Sequence, residues 1–183
     1  MLKVLIFAGA NGAGKTTIAK SVLEPDIRFI NADDIQREEG LSDIDAGQKA
    51  LNLIDISTSN RISFAFETTM AGLGLDKRLN RLKKLKYGIV IFYLFAHPKE
   101  LLVERIKERI KKGGHPVPEK DIIRRYGRSL KNFWTKYRLY AEEWNIICNN
   151  ELEAKTIAVG NRDRYQILDK HEFNVFEEVL NNV

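Results

Sequence analysis

The sequence is short of several things, and each shortage excludes a class of protein. A single cysteine, Cys148, rules out an internal disulfide and points to a reducing compartment, so a cytoplasmic location is expected. There are four prolines and no Pro-, Gly- or Ser-rich stretch or repeat, so nothing marks a linker and residues 1–183 are expected to form one domain. Three histidines without the spacing of metal ligands give no zinc site. The longest apolar runs, residues 4–8 and 89–96, fall far short of the ~20 residues of a membrane span, and no signal-peptide pattern precedes them. What is present is ordinary for a globular chain: 44% hydrophobic and 30% charged residues, too apolar for a disordered protein.

The charge is not spread evenly. The net charge of +5 hides a block between Arg105 and Arg138 with 12 basic and 3 acidic residues, while the rest of the chain is mildly acidic. Such a block needs an acidic partner or a solvated face.

Strand-like and helix-like patterns alternate, which predicts an α/β sandwich with a mostly parallel sheet. Strands are predicted over residues 3–8, 27–30, 62–66, 88–95, 145–148 and 156–159. Helices are predicted over 15–24, 43–60 with Ser42 as cap, and 77–86 with Asp76 as cap. A helix over 99–112 would bury Leu102, Ile106 and Ile110. After the Gly113–Gly114 stop, a second would bury Ile123, Tyr126, Leu130, Phe133, Tyr137 and Tyr140, and a terminal helix follows Lys170.

Directly after the first strand, residues 9–16 read GANGAGKT and fit G-x-x-x-x-G-K-[ST]. This pattern arises by chance in about one chain of this length in 150. Its glycines let backbone N–H groups wrap a phosphate chain at a helix N-terminus. Ala10, Asn11, Gly12, Ala13, Gly14, Lys15, Thr16 and Thr17 are therefore candidate ATP-binding residues. Lys15 would reach the β- and γ-phosphates, and the Thr16 hydroxyl would ligate Mg²⁺.

In an open parallel sheet, ligands sit beyond the carboxyl ends of the strands. The second strand runs into Asn31-Ala32-Asp33-Asp34 and the third into Glu67-Thr68-Thr69. An acid there can accept the proton of an attacking hydroxyl, hold a water on Mg²⁺ or touch the substrate, and the candidates are Asp33 and Glu67. Thr69 joins them as a candidate substrate contact. Asp34 reads as a solvated first-turn charge.

Arg105 and Arg109 share one helical face, and Arg124 and Arg128 repeat that relation on the next helix. The glycine-hinged segment between them carries His115, a candidate substrate contact. A hinged, arginine-flanked segment suits a phosphoryl-transfer lid, where guanidinium groups face the transferring charge. Tyr126, Phe133, Trp134 and Tyr137 could stack bases in a nucleic-acid groove, but their spacing of 3 and 4 favours a core.

Taken together, GANGAGKTT, INADDI, FAFETTMAG and RIKERIKKGGHPVPEKDIIRRYGRSLKN resemble the zeta-toxin-like family of phosphate-loop kinases, particularly its short bacterial members. The resemblance lies within residues 3–132. It implies a three-layer P-loop kinase fold with a mostly parallel five-stranded sheet and a helical lid over residues 105–128. It also implies an ATP- and Mg²⁺-dependent kinase acting on a hydroxyl. Well-studied zeta toxins phosphorylate UDP-N-acetylglucosamine, so a UDP-sugar acceptor and an antitoxin partner are implied too. By the same resemblance Asp33 matches the catalytic base, Glu67 the acid that contacts the sugar nucleotide or the metal shell, and Arg105 an arginine acting on the phosphates. Those toxins carry another arginine near the position of His115. Here Arg109, Arg124, Arg125 and Arg128 compete for its role. The rival readings are a polynucleotide kinase or nucleic-acid-dependent ATPase, and a nucleotide-binding partner module of a toxin–antitoxin pair. Nucleic acid is disfavoured because the arginines suit a lid.

Overall fold

The computed structural model describes residues 2–114, 116–150 and 153–183. The elements are β1 (Lys3–Ala8), α1 (Lys15–Val22), β2 (Arg28–Ile30), α2 (Ala32–Glu39), α3 (Asp43–Ser59), β3 (Phe64–Thr68), α4 (Leu75–Lys84), β4 (Gly88–Phe95), α5 (Lys99–Lys111), α6 (Glu119–Thr135), a 3-10 turn (Tyr137–Tyr140), β5 (Glu143–Cys148), β6 (Lys155–Asn161), β7 (Arg164–Ile167) and α7 (Lys170–Asn181). The strand order is β2-β3-β1-β4-β5-β6-β7. Pairing is parallel from β2 through β5 and antiparallel for β6 and β7. This is the α/β three-layer fold of P-loop kinases.

The sheet has seven strands, not the expected five. The addition is the antiparallel β6–β7 hairpin: β6 answers to the strand expected over 156–159, while β7, the four exposed residues RYQI, was not expected. β1 lies between β3 and β4 and is nearly dry, with Val4, Ile6, Phe7 and Ala8 buried, as a strand covered on both faces must be.

Four local expectations shift. β3 begins at Phe64 and runs through Thr68, so Glu67 sits inside the strand, level with Phe7 of β1. Gly74, not Asp76, occupies the cap position of α4, and Asp76 lies in its first turn, paired with Lys136. On α6 the buried isoleucine is Ile122, while Ile123 is 40% exposed. Ile110 is equally exposed, so the buried face of α5 is Leu102, Val103 and Ile106. Tyr126, Phe133 and Tyr137 are buried, and Trp134 packs against Trp144, Phe173 and Phe176. These rings belong to the core and offer no stacking platform. No helix among the described residues is long and apolar enough to cross a membrane.

Candidate functional site

The turn from β1 to α1 needs glycine for stated geometric reasons. Gly9 has φ of +138°, and a Cβ there would meet the Leu94 carbonyl oxygen at 2.4 Å. Gly12 has φ of +84°, with the Leu102 carbonyl oxygen at 2.7 Å from such a Cβ. Gly14 caps α1 without any side-chain bond, and no acid occupies the first turn. The helix therefore presents uncapped N–H groups and its positive end to a cavity of about 400 Å³. Gly12, Gly14, Lys15, Thr16 and Thr17 line that cavity from the loop side, and Asp33, Glu67, Arg105 and Arg109 face them.

Glu67 is the hub. Its carboxylate accepts from the Thr16 hydroxyl at 2.6 Å and from the Asn31 amide at 3.2 Å, and it pairs with the Lys15 ammonium at 3.3 Å. Lys15 is 5% exposed and also donates to the Ala10 carbonyl at 2.9 Å. A buried ammonium is tolerable here because both a carboxylate and a carbonyl satisfy it. Ala10 and Ala13, within the loop, are buried.

Asn31 does two jobs. Its side-chain oxygen caps α2 by accepting from the Asp33 N–H at 2.9 Å, and its amide reaches Glu67 and Thr16. Asp33 is thereby relieved of capping. Its carboxylate pairs with Arg109 at 3.2 Å across the cavity mouth. Asp34 is not solvated as expected: it is held by Arg37 at 2.7 Å and Lys20 at 3.6 Å. Thr69 lies just past β3, where its hydroxyl accepts from the Ala71 N–H at 3.4 Å and shapes the loop.

The arginines divide by position. Arg105 donates to the Asn149 carbonyl at 2.7 Å and the Asn150 carbonyl at 3.2 Å. Burial lowers its pKa, opposed in part by the nearby Cys148. Asn149 in turn donates to the Ala13 carbonyl at 2.8 Å, so Arg105 braces the end of β5 against the phosphate loop. Arg125 reaches the loop directly, donating to Asn11 at 3.3 Å. Arg124 is exposed and pairs with Asp121 at 2.8 Å, and Arg128 is exposed; neither lines the cavity. His115 lies outside the described residues. A second, larger cavity of about 1020 Å³ opens between α2 and α5, sharing Asp33, Arg105 and Arg109 with the first.

Asn31 and Asn149 carry no role in the sequence reading. The position of Asn31 between a strand and an acidic first turn was a usable capping signal. Asn149 had none, since its partner is 136 residues away.

A hydroxyl and a carboxylate are hard oxygen donors of the kind Mg²⁺ takes, and Thr16 and Glu67 stand together at the loop with the Asn31 amide N–H groups directed at both. Comparisons with known proteins bear on the family and the fold. A family model described as Zeta toxin matches residues 3–162. An uncharacterized protein of Haemophilus influenzae (strain ATCC 51907 / DSM 11121 / KW20 / Rd) is 30% identical over 129 residues, covering 68% of this chain and 92% of that protein. A chain of the AvrRxo1-ORF1:AvrRxo1-ORF2 complex superposes with a TM-score of 0.75 at 13% identity over 98% of this chain, which spans only 64% of that longer chain. The same complex has been determined with ATP. In a structure of the PezAT toxin–antitoxin system of Streptococcus pneumoniae, the matching chain has a TM-score of 0.61 at 17% identity, covering all of this chain and 87% of that one. The chain belongs to the zeta toxin family.

Proposed function

We propose that the protein is an ATP- and Mg²⁺-dependent kinase that transfers the γ-phosphoryl group to a hydroxyl. The observation that carries this reading is the Lys15–Glu67–Thr16–Asn31 cluster at the uncapped start of α1, with Asp33 and Arg109 across the mouth. The N–H groups of the loop and Lys15 bind the phosphate chain. Mg²⁺ would be held by Thr16, with Glu67 and Asn31 orienting its water ligands, and supplies charge neutralisation on the phosphates. Asp33 orients the acceptor hydroxyl and takes its proton as oxygen bonds to the γ-phosphorus and the bond to the ADP oxygen breaks. Arg109 steadies the transferring group, and Arg125 is best placed among the α6 arginines to join it. Arg105 acts by positioning. The whole chain works as one kinase domain, with residues 105–128 closing over the nucleotide as a lid and excluding water.

Family membership supports a UDP-sugar among the acceptors to be tried, and the complexes of AvrRxo1 and PezAT support an antitoxin-like protein partner. The reading places the protein in the cytoplasm. The test is transfer from γ-labelled ATP to a panel of UDP-sugars, nucleosides, neutral alcohols and oligonucleotides. Lys15→Ala should abolish transfer. Asp33→Asn should keep ATP binding and cut transfer by about 10² or more. Transfer at the wild-type rate by Lys15→Ala, or lost ATP affinity with intact turnover in Asp33→Asn, refutes the assignment. Transfer to oligonucleotides alone, with steep salt dependence, would establish the polynucleotide-kinase reading instead.

A further inference from the structure

Met70 holds a backbone conformation that its residue type does not favour. Its φ of +54° lies in the left-handed region, which costs free energy for a residue with a Cβ. Three other non-glycine residues share that region, Arg61, Lys86 and Arg162, and all three are exposed. Met70 is buried, and it stands directly after Thr69 and three residues after Glu67.

One stretch of chain holds the loop in this shape. The Asn132 amide, near the end of α6, donates to the Met70 carbonyl at 2.8 Å. The Tyr137 hydroxyl donates to the Gly72 carbonyl at 2.6 Å, and Lys136 pairs with Asp76 at the start of α4. From within the loop, the Thr68 hydroxyl accepts from the Met70 N–H at 3.1 Å. With both of its backbone polar groups engaged, Met70 is kept in a dihedral that it would otherwise leave. α6 is itself fixed to the sheet. Phe133 stacks on Tyr93 of β4 with ring centroids 4.1 Å apart, and the buried Tyr93 and Ser129 hydroxyls lie 3.0 Å apart. Two turns before Asn132, Arg125 donates to Asn11 of the phosphate loop. About 10 Å of one helix therefore joins the phosphate loop to the loop that follows Glu67.

We propose that Asn132 is a positioning residue for the transfer reaction, acting through Met70. It does not line the phosphate cavity. The φ of Met70 sets the direction in which the chain leaves β3, and with it where Thr69 stands relative to Glu67. Without Asn132 the Met70 carbonyl loses its donor, and the loop can relax to a negative φ and carry Thr69 with it. Lys15 and Thr16 take their bonds from Ala10, Asn31 and Glu67, none of which is in the loop. Losing Asn132 should therefore separate nucleotide affinity from transfer. The proposal rests on the kinase reading.

The test uses the full chain. Met1 and Met70 are its two methionines, so methyl-labelled methionine places one reporter in the loop, assigned with Met70→Leu. Calorimetry reads ATP binding with Mg²⁺, and transfer from γ-labelled ATP is measured to UDP-N-acetylglucosamine, uridine and glycerol. Asn132→Ala should move or split the Met70 methyl signal and keep ATP affinity within about twofold. It should cut kcat/KM for the acceptor by about tenfold, roughly the worth of one hydrogen bond, with the KM for ATP unchanged. Asn132→Asp keeps the shape and lacks the donor, so it should match Asn132→Ala, and it serves alone if the alanine variant does not fold. A side chain needed only to fill space would leave Asn132→Asp like wild type, which overturns the proposal. Unchanged transfer, a Met70 signal in its wild-type place, or ATP affinity lost along with transfer also overturns it, and each leaves the kinase reading standing. No transfer by the wild type to any acceptor sinks the kinase reading instead. A Met70 signal displaced in both variants then still supports the hold by Asn132, and an undisplaced one overturns it.

Discussion

Replacing Glu67 by Gln should move two measurements in opposite directions. The carboxylate holds the Lys15 ammonium, the Thr16 hydroxyl and the Asn31 amide, and the lysine is 5% exposed. Breaking a buried pair from one side costs about 3–5 kcal/mol. Two features reduce that here: Lys15 keeps the Ala10 carbonyl, and the cavity of about 400 Å³ admits water. Gln also keeps one acceptor for Thr16 or Asn31, so a loss of about 2–3 kcal/mol is expected. At about 2–4 °C per kcal/mol for a chain of this size, the melting temperature should fall by about 4–12 °C. The same carboxylate competes with phosphate oxygens for Lys15 and repels them. At an effective dielectric near 20, two such charges at ~4 Å oppose each other by about 4 kcal/mol, much of it screened at an open mouth. Metal-free ATP should therefore bind the variant about tenfold more tightly, while the extra affinity gained on adding Mg²⁺ shrinks. Scanning fluorimetry and titration calorimetry, with EDTA and then with Mg²⁺, read both effects. A melting temperature within about 1 °C of wild type, or weaker metal-free binding, would refute the hub role of Glu67.

Gly12→Ala should lose ATP binding and cost about 1–3 kcal/mol from its positive φ alone, with the Leu102 backbone contact adding to it; unchanged urea unfolding would contradict this. Asn149→Ala should loosen the loop without touching Lys15, weakening ATP binding by about tenfold, roughly the worth of one hydrogen bond to the Ala13 carbonyl; calorimetry at fixed salt decides. Gly47→Ala should stabilise the protein by about 0.5–1 kcal/mol, because nothing obstructs the methyl group; a destabilised variant in urea melts would mean the glycine has a packing role. Burial, and then the Glu172 carboxylate, push the Cys148 thiol up to about 12 from an ordinary 9.0. The unfolded chain loses that proton first, so the contribution is complete below about 9 and is lost as pH rises toward 12. Urea unfolding of Cys148→Ala should show a shallower alkaline decline than wild type.

How much could be read beforehand depended on how local each signal was. The phosphate loop, Asp33 and Glu67 were legible because each lies at a strand end within a few residues of the pattern that identifies it. Asn31 was within reach by the same logic, yet its tie to Glu67 spans 36 residues and shows only once β2 and β3 pair. The α6 arginines could not be sorted from the sequence for a geometric reason. Adjacent helical residues point about 100° apart, so Arg125 reaches Asn11 while Arg124 turns to Asp121, and no spacing rule chose between them. β7 was hard to see because its alternating run, RYQI, is only four residues long.

The cations around the phosphate loop differ in what it takes to move them, and that difference sorts their roles. Arg109 and Asp33 are 38% and 48% exposed, so separating them costs about 0–1 kcal/mol. In the proposed kinase, an arriving phosphate chain that takes Arg109 from this pair exposes the Asp33 carboxylate as the proton acceptor. Nucleotide binding and the readiness of the base are then one event. Arg105 is different: its two carbonyl bonds would leave Asn149 and Asn150 unsatisfied, and Asn149 would lose its hold on the Ala13 carbonyl. It is better fitted to stay. Lys15 lies between these extremes, since a phosphate can replace Glu67 as its counter-charge without leaving it bare. Of the block that gives the chain its positive charge, only those members whose present bonds are cheap to exchange can respond to a ligand.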